Sequence, residues 1–278
     1  MIYDLLVFTQ YPLAYAPTRL RHEAKNMGLR FKICEYAKIK NIKKLPRAKS
    51  IILREPNISH KLYALRDAVL KHYLSTNTYV LNSNSYLKWS VLNKKTQEIE
   101  FEKAKIPHIE SLEINPSTGR LKYPFIAKAS LGSHGDHVYK IESDADLSFV
   151  LTMHKIEDLL FQEFQTSGFD LRVIVLDGSI LGMMMRTPKK GNFLSNFSQG
   201  GSVSQYAGKD ILKIKNIALN TARHFKLDYV GVDLMKSNEG KWKVLEVNRA
   251  CQFQGFEKAI QVNVAHELVN WCILQDIQ

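Results

Sequence analysis

The chain has 278 residues, 45% of them hydrophobic and 24% charged, with a formal net charge of +12; this excludes a disordered or fibrous protein and leaves room for one large domain or two to three small ones. No apolar run approaches the ~18 residues that span a bilayer, and the N-terminus carries Asp4 without a basic flank, so it reads as a first strand and not a signal peptide. Cys34, Cys251 and Cys272 are few, odd in number and far apart, which excludes a disulfide framework and fits a reducing cytoplasm.

The charge is concentrated early. Residues 1–64 hold 13 Lys/Arg against 4 Asp/Glu, and Lys38, Lys40, Lys43, Lys44, Arg47, Lys49 and Arg54 follow one another with no acid between Tyr36 and Arg54. Such a run is either a solvated surface or a docking face for a polyanion such as an acidic peptide tail or nucleic acid. Charge alone does not choose.

Strands and helices alternate through the first third. Ile2–Phe8 has a strand pattern, Pro17–Met27 a helical one closed by Gly28. Phe31–Cys34 and Ile51–Leu53 are short apolar runs, Lys61–Leu74 repeats apolar residues at helical spacing, and Tyr79–Leu81 is a further strand. This alternation predicts a parallel α/β unit over 1–90. Ser83–Ala104 reads as one helical stretch.

Beyond Ile106-Pro107 the pattern changes to α+β. Pro124–Lys128 and His137–Ile141 flank a loop of small residues, and Asp144–Met153 reads as a helix with Asp144 as N-cap. Leu159–Phe164, Leu171–Val175 and Ile180–Met185 are successive strands, with a turn at Asp177-Gly-Ser179. Asp210–Phe225 and Ile260–Ile273 are helical. The expected organisation is three consecutive units, over 1–90, 91–163 and 164–278.

Two runs near the end carry the clearest chemistry. Tyr229–Met235 and Val244–Arg249 are separated by the turn-rich Lys236–Lys241 and predict a β-hairpin. Glu246 and Asn248 are two apart and share a strand face. With Asp233 facing them, two carboxylates and an amide would converge, a donor set suited to Mg²⁺ and through it to phosphate oxygens. Upstream, Lys128 ends a strand before Ala129-Ser-Leu-Gly-Ser-His-Gly-Asp136, where Gly132 and Gly135 allow backbone amides to turn toward an anion. Phe161-Gln-Glu-Phe164 precedes Gly168-Phe-Asp-Leu-Arg172, and Arg186 precedes Ser195-Asn196 and Gly200-Gly201. His134-Gly-Asp-His137 is a weak metal pattern on a loop, Cys251 has no activating base in the sequence, and Met183–Met185 reads as strand packing.

The order of these motifs, from about Asn93 to Glu257, resembles the ATP-grasp superfamily and more narrowly its RimK-type amino-acid ligases. The resemblance implies an ATP-grasp fold, two α+β subdomains clasping ATP, preceded by a parallel α/β domain. It implies nucleotide contacts from Lys94, Lys128, Gly132, Ser133 and Gly135, and adenine held by the Glu163–Phe164 backbone. Asp170 then falls near the ribose, and Ser195 and Asn196 on the phosphate side. The same likeness gives Mg²⁺ ligands Asp233, Glu246 and Asn248, with Arg186 and Lys128 steadying developing charge.

The departures lie at Leu194, where the RimK pattern has arginine, at Asp136, at His137, which replaces a glycine, and at Arg249-Ala-Cys-Gln-Phe253. The last run makes Arg249 and Gln252 candidates for the acceptor pocket.

The implied activity is ATP-dependent amide-bond formation through an acyl phosphate, with one or two Mg²⁺ ions for which Mn²⁺ can substitute. The substrate is an amino acid or peptide, with glutamate added to an acidic peptide or protein favoured by the basic first third. A glutathione-synthase-like small-molecule ligase is one alternative. A weakened ATP-grasp module that binds an acidic protein or RNA is the other. No membrane partner is expected, nucleic acid is the less favoured polyanion, and a homo-oligomer is compatible with the sequence.

Overall fold

A computed structural model describes residues 1–54, 60–114, 121–132, 137–193 and 200–275. Three sheets follow one another along the chain. The first is parallel, in the order β2-β1-β3-β4, from β1 (Ile2–Thr9), β2 (Phe31–Glu35), β3 (Arg47–Leu53) and β4 (Tyr79–Val80). Helices α1 (Tyr15–Asn26) and α2 (His60–Leu74) make the crossovers that parallel strands require. Thr9 and Arg54 stand at the carboxyl ends of β1 and β3, and both line the central cleft.

The expected single helix over 83–104 is two. α3 (Ser83–Lys88) ends before Trp89, and α4 (Lys94–Lys103) starts afresh, with the Asn93 side chain accepting the Thr96 N–H at 2.8 Å. Asn is a strong N-cap, which is why the helix restarts there. A small antiparallel sheet follows in the order β6-β5-β7, from β5 (Phe125–Ala129), β6 (Val138–Ile141) and β7 (Leu159–Glu163). Helix α5 (Asp144–Met153) covers it. Its N-cap is Ser143, whose hydroxyl accepts the Asp146 N–H at 3.2 Å, and Asp144, expected at that position, is its first residue.

The largest sheet is antiparallel, in the order β10-β9-β8-β11-β12: β8 (Asp170–Leu176), β9 (Ser179–Thr187), β10 (Ser202–Gln205), β11 (Tyr229–Lys236) and β12 (Trp242–Asn248). Asp177 and Gly178 join β8 to β9 with φ of 48° and 67°, the two left-handed residues of a type I′ hairpin. Helix α6 (Ile211–His224) packs on one face, its Ile214, Ile217 and Ala218 buried with Val173, Val230 and Val232.

The expected helix over 260–273 begins at Val264, and a short helix precedes it. α7 (Gln254–Ile260) and α8 (Val264–Leu274) are separated at Gln261, φ 60°. Val264, Leu268 and Cys272 of α8 are buried with Leu5, Leu20 and Ile52, so the last helix completes the core of the first sheet. Asn82 joins the same two regions. Its side chain accepts the Tyr229 N–H and donates to the carbonyls of Tyr229 and Arg249, at 2.9, 2.7 and 3.1 Å.

Candidate active site

A cleft of about 900 Å³ lies between the small and large antiparallel sheets and reaches the carboxyl ends of β1 and β3. Its floor is the face of the large sheet turned away from α6. Met184, Arg172, Asp233 and Glu246 stand in one cross-strand row, and Arg186 pairs with Asp170 in the next. Strand pleat alone puts these residues on a common face.

One irregularity sharpens the placement. Asp233 pairs with Glu246 but Leu234 pairs with Val244, so Leu245 is an extra residue in β12. This bulge turns Val244 into the core with Leu234 while Glu246 and Asn248 face the cleft.

Arg172 grips Asp233 with two hydrogen bonds, Nε to Oδ1 at 2.8 Å and Nη2 to Oδ2 at 2.7 Å. Arg186 donates Nε to Asp170 Oδ1 at 2.5 Å and places Nη2 3.1 Å from Asp233 Oδ2. All four residues are buried or nearly so. Burial pushes the Asp233 carboxyl up, but the charges of Arg172 and Arg186 outweigh it and hold the group below the usual carboxylate range. Burial conversely lowers both arginines, and Asp233 and Asp170 raise them past their ordinary value. Arg172 had no assigned role in the sequence reading. The only signal was its position two residues after Asp170, which puts it on the same strand face.

The other wall supplies lysines. Lys128, on β5, is 8% exposed. Burial first, then the charge of Lys94, pushes its pKa down to about 8 against the opposing pull of Glu246 and Glu98. Lys94 opens α4, with Nζ 3.3 Å from the Gly132 carbonyl and 3.9 Å from Glu246 Oε1. Thus Lys94, Lys128, Arg172 and Arg186 face Asp170, Asp233 and Glu246 across one cavity, an excess of positive charge suited to an anion.

Glu163 ends β7 at the rim, and Phe164 follows beneath Lys140, whose Nζ is 4.8 Å from the ring centroid. The segment after it is fixed to the β11–β12 turn: Asn238 donates to the Phe164 carbonyl at 3.0 Å and accepts the Thr166 N–H at 3.0 Å. Both Glu163 and Phe164 line the cleft.

The donor set fits Mg²⁺. Glu246 keeps its carboxylate in the cleft. Asn248 gives its amide hydrogen to Asp233 Oδ2 at 3.4 Å, which leaves its oxygen for a cation. Asp233 completes the set while held by arginines.

The cluster therefore brings together Lys94, Lys128, Gly132, Asp170, Arg186, Asp233, Glu246 and Asn248. Ser133, Gly135, Ser195 and Asn196 lie outside the described residues, as do His134, Asp136 and Leu194. His137 has φ 60°, a conformation that glycine adopts without the steric cost of a side chain.

Arg249 is among the residues lining the cleft, with its guanidinium anchored toward α3. It is 4% exposed, and its guanidinium donates to the carbonyls of Trp89 and Ser90 at 2.6 and 3.1 Å and stacks 4.3 Å from the Tyr86 ring. The residue after Asn248 on a pleated strand points away from the Asn248 side, and here that is toward α3. Gln252 lines the cleft and offers its carbonyl to Arg172 Nη1 at 3.3 Å. The basic run also divides. Lys38, Lys40, Lys43, Lys44 and Arg47 are exposed, whereas Arg54 is buried at the cleft and donates to the Ala250 carbonyl at 2.8 Å.

Two α+β sheets holding a cationic cleft, preceded by a parallel α/β unit, define an ATP-grasp architecture. The solved structure of the ATP-grasp ligase PsnB complexed with a phosphomimetic variant of minimal precursor, Mg and ADP superposes with TM-score 0.75 at 20% identity, covering 99% of each chain. The sequence profile of the RimK-like ATP-grasp domain matches residues 83–272, and the chain belongs to that family. A probable alpha-L-glutamate ligase of Maridesulfovibrio salexigens is 32% identical over 152 residues, 53% of this chain and 50% of that one. This match thus spans about half of the relative's length. A probable alpha-L-glutamate ligase of Haemophilus influenzae is 26% identical over 301 residues, 96% of both chains.

Proposed function

We propose that this protein is an ATP-dependent carboxylate–amine ligase, and the observation that carries this reading is the ionic row Arg172–Asp233–Glu246, joined by Arg186–Asp170, on the floor of a lysine-walled cleft. A substrate carboxylate attacks the γ-phosphate of ATP, giving an acyl phosphate and ADP. An amine then attacks the acyl carbon, forming the amide and releasing phosphate and the amine proton.

Residues of this chain position the anions and neutralise charge, which is most of what phosphoryl transfer requires. Lys94 and Lys128 meet the phosphates from the small-sheet side, and Arg186 meets the transferring group from the floor. Arg172 holds Asp233 in one rotamer by its two-point grip. Glu246, Asn248 and Asp233 would hold Mg²⁺, which on binding screens the charge of the phosphate oxygens. The backbone of Glu163 and Phe164 receives the base at the rim.

The names of the relatives support glutamate as the amino acid added. The exposed lysines between Lys38 and Arg47 support an acidic peptide or protein as acceptor.

Incubation with ATP, Mg²⁺ and pooled amino acids and peptides, followed by mass spectrometry, is expected to yield ADP and a new amide, glutamyl products foremost. Glu246→Ala is expected to lower ADP release by at least ~10²-fold. ATP binding without ADP or amide from any pair would reject the ligase reading. Acceptor affinity that stays flat from low to high salt would reject electrostatic docking.

A further inference from the structure

Outside the cleft, α4 carries polar side chains for which the nucleotide chemistry has no use. Glu98 and Glu102 are four residues apart and stand on one face of the helix. After α4 the chain turns and brings His108 against them, so that one donor atom from each of the three lies within 4.8 Å of the others.

His108 separates this group from an ordinary patch of acids. Its residue is 8% exposed, and its Nδ1 lies 2.9 Å from the Ile106 carbonyl oxygen. A carbonyl only accepts, so Nδ1 carries the hydrogen, and in that tautomer the lone pair lies at Nε2. That nitrogen is buried and has no hydrogen-bond partner among the described residues. An acceptor nitrogen beside two carboxylates faces groups that repel its lone pair, and a cation satisfies all three at once.

The supporting contacts are those that orient metal ligands. The second ring nitrogen is tied to a backbone carbonyl, which fixes the tautomer and the ring plane. Glu98 is oriented by Ser111, whose N–H and hydroxyl donate to its two oxygens at 2.5 and 2.6 Å. Each oxygen keeps a second lone pair for another partner.

We propose that Glu98, Glu102 and His108 form a site for one divalent transition-metal ion of the Zn²⁺ class, separate from the Mg²⁺ ligands of the cleft. One imidazole nitrogen with two carboxylate oxygens suits such an ion better than Mg²⁺, which takes oxygen ligands alone. Tetrahedral zinc at about 2.0–2.2 Å from each donor sets the donors roughly 3.4 Å apart. The site closes by side-chain shifts on the order of 1 Å, which the exposed Glu102 can make by changing rotamer. Water fills the fourth position.

The ion would clasp α4 to the segment that follows it. That segment meets both antiparallel sheets, through the bridges His108–Val244 to β12 and Ser111–Gln162 to β7. A metal here therefore braces the junction between the two halves of the clasp, on the same helix as Lys94 and one turn from it.

The test uses the full chain, stripped with a chelator and titrated with Zn²⁺ while excess Mg²⁺ and ADP occupy the cleft. One equivalent is expected to bind, and Co²⁺ in its place is expected to give visible absorption of a nitrogen–oxygen site. Glu102→Gln, at an exposed position, is expected to weaken Zn²⁺ binding at least about tenfold, His108→Gln to abolish it, and Glu246→Gln to leave one equivalent bound. At a hundredfold excess over Kd, Zn²⁺ is expected to raise Tm by roughly 5 °C in the parent chain. Absence of Zn²⁺ binding in the parent chain overturns the proposal. So does affinity unchanged in Glu102→Gln, which is decisive should His108→Gln fail to fold, or binding lost in Glu246→Gln.

Discussion

The two faces of the five-stranded sheet come from the same strands and obey opposite rules. Toward α6, Leu171, Val173, Val175, Val230, Val232 and Leu234 are each essentially inaccessible and pack without direction. Toward the cleft, the alternating positions are Asp170, Arg172, Asp233 and, across the ladder, Arg186 and Glu246. The apolar face is stabilised in proportion to the area it covers. The ionic face depends on completeness, because each buried charge is tolerable only while its partner is present.

The largest effect should come from breaking the ionic face. Asp233→Ala leaves Arg172 and Arg186 buried without their shared counter-charge, and should cost about 3–5 kcal/mol in urea unfolding while stopping ADP release. Adding Arg172→Met to it should return part of that stability but none of the activity, and additive losses in the pair would contradict mutual compensation.

On the apolar face, Leu234→Ala should cost about 2–5 kcal/mol yet leave turnover per folded molecule within about twofold. A fall in kcat like that of Asp233→Ala would mean that the two faces do not separate. Gly231 tests the seam between them. An added Cβ would stand 2.7 Å from Cys251 Cβ and 3.0 Å from its sulfur, so Gly231→Ala should cost about 1–3 kcal/mol by overpacking, measured by thermal melting.

The smallest effect is a pH dependence from Lys128. Its folded pKa near 8 lies below the ordinary 10.5, so between these values the unfolded chain binds a proton that the folded chain lacks. Stability without nucleotide should therefore rise with pH from about 8 to about 10.5. ATP favours the charged lysine, so its affinity should fall, by less than about tenfold, as pH rises through 8. Lys128→Met should flatten both trends in paired melting and binding measurements.

Sequence pattern located this chemistry better than it described its wiring. The β11–β12 hairpin, the Lys128 strand and the parallel first sheet were legible because period-two and period-3.6 patterning is a local property. The break before α4 was written in Asn93 but hidden by helix-forming neighbours on both sides. The break before α8 depends on Gln261 holding a left-handed turn, which its composition does not announce. Arg249 lines the cleft, but the direction of its guanidinium was not legible in the sequence. Its direction was set by the carbonyls of Trp89 and Ser90, about 160 residues away in sequence. Arg172 was visible as a residue and silent as a partner, since its role exists only through pairing with β11.

Leu245 acts on the sheet as a frameshift acts on a message. Counted by twos from Trp242, the residues Val244, Glu246 and Asn248 would share one face, putting grease and chemistry together. The single unpaired residue resets the count, so that Trp242 and Val244 are read into the core and Glu246 and Asn248 into the cleft. Deleting it would make Val244 and Glu246 neighbours on a regular ladder, and the ordinary pleat should then keep Val244 in the core and Glu246 and Asn248 in the cleft.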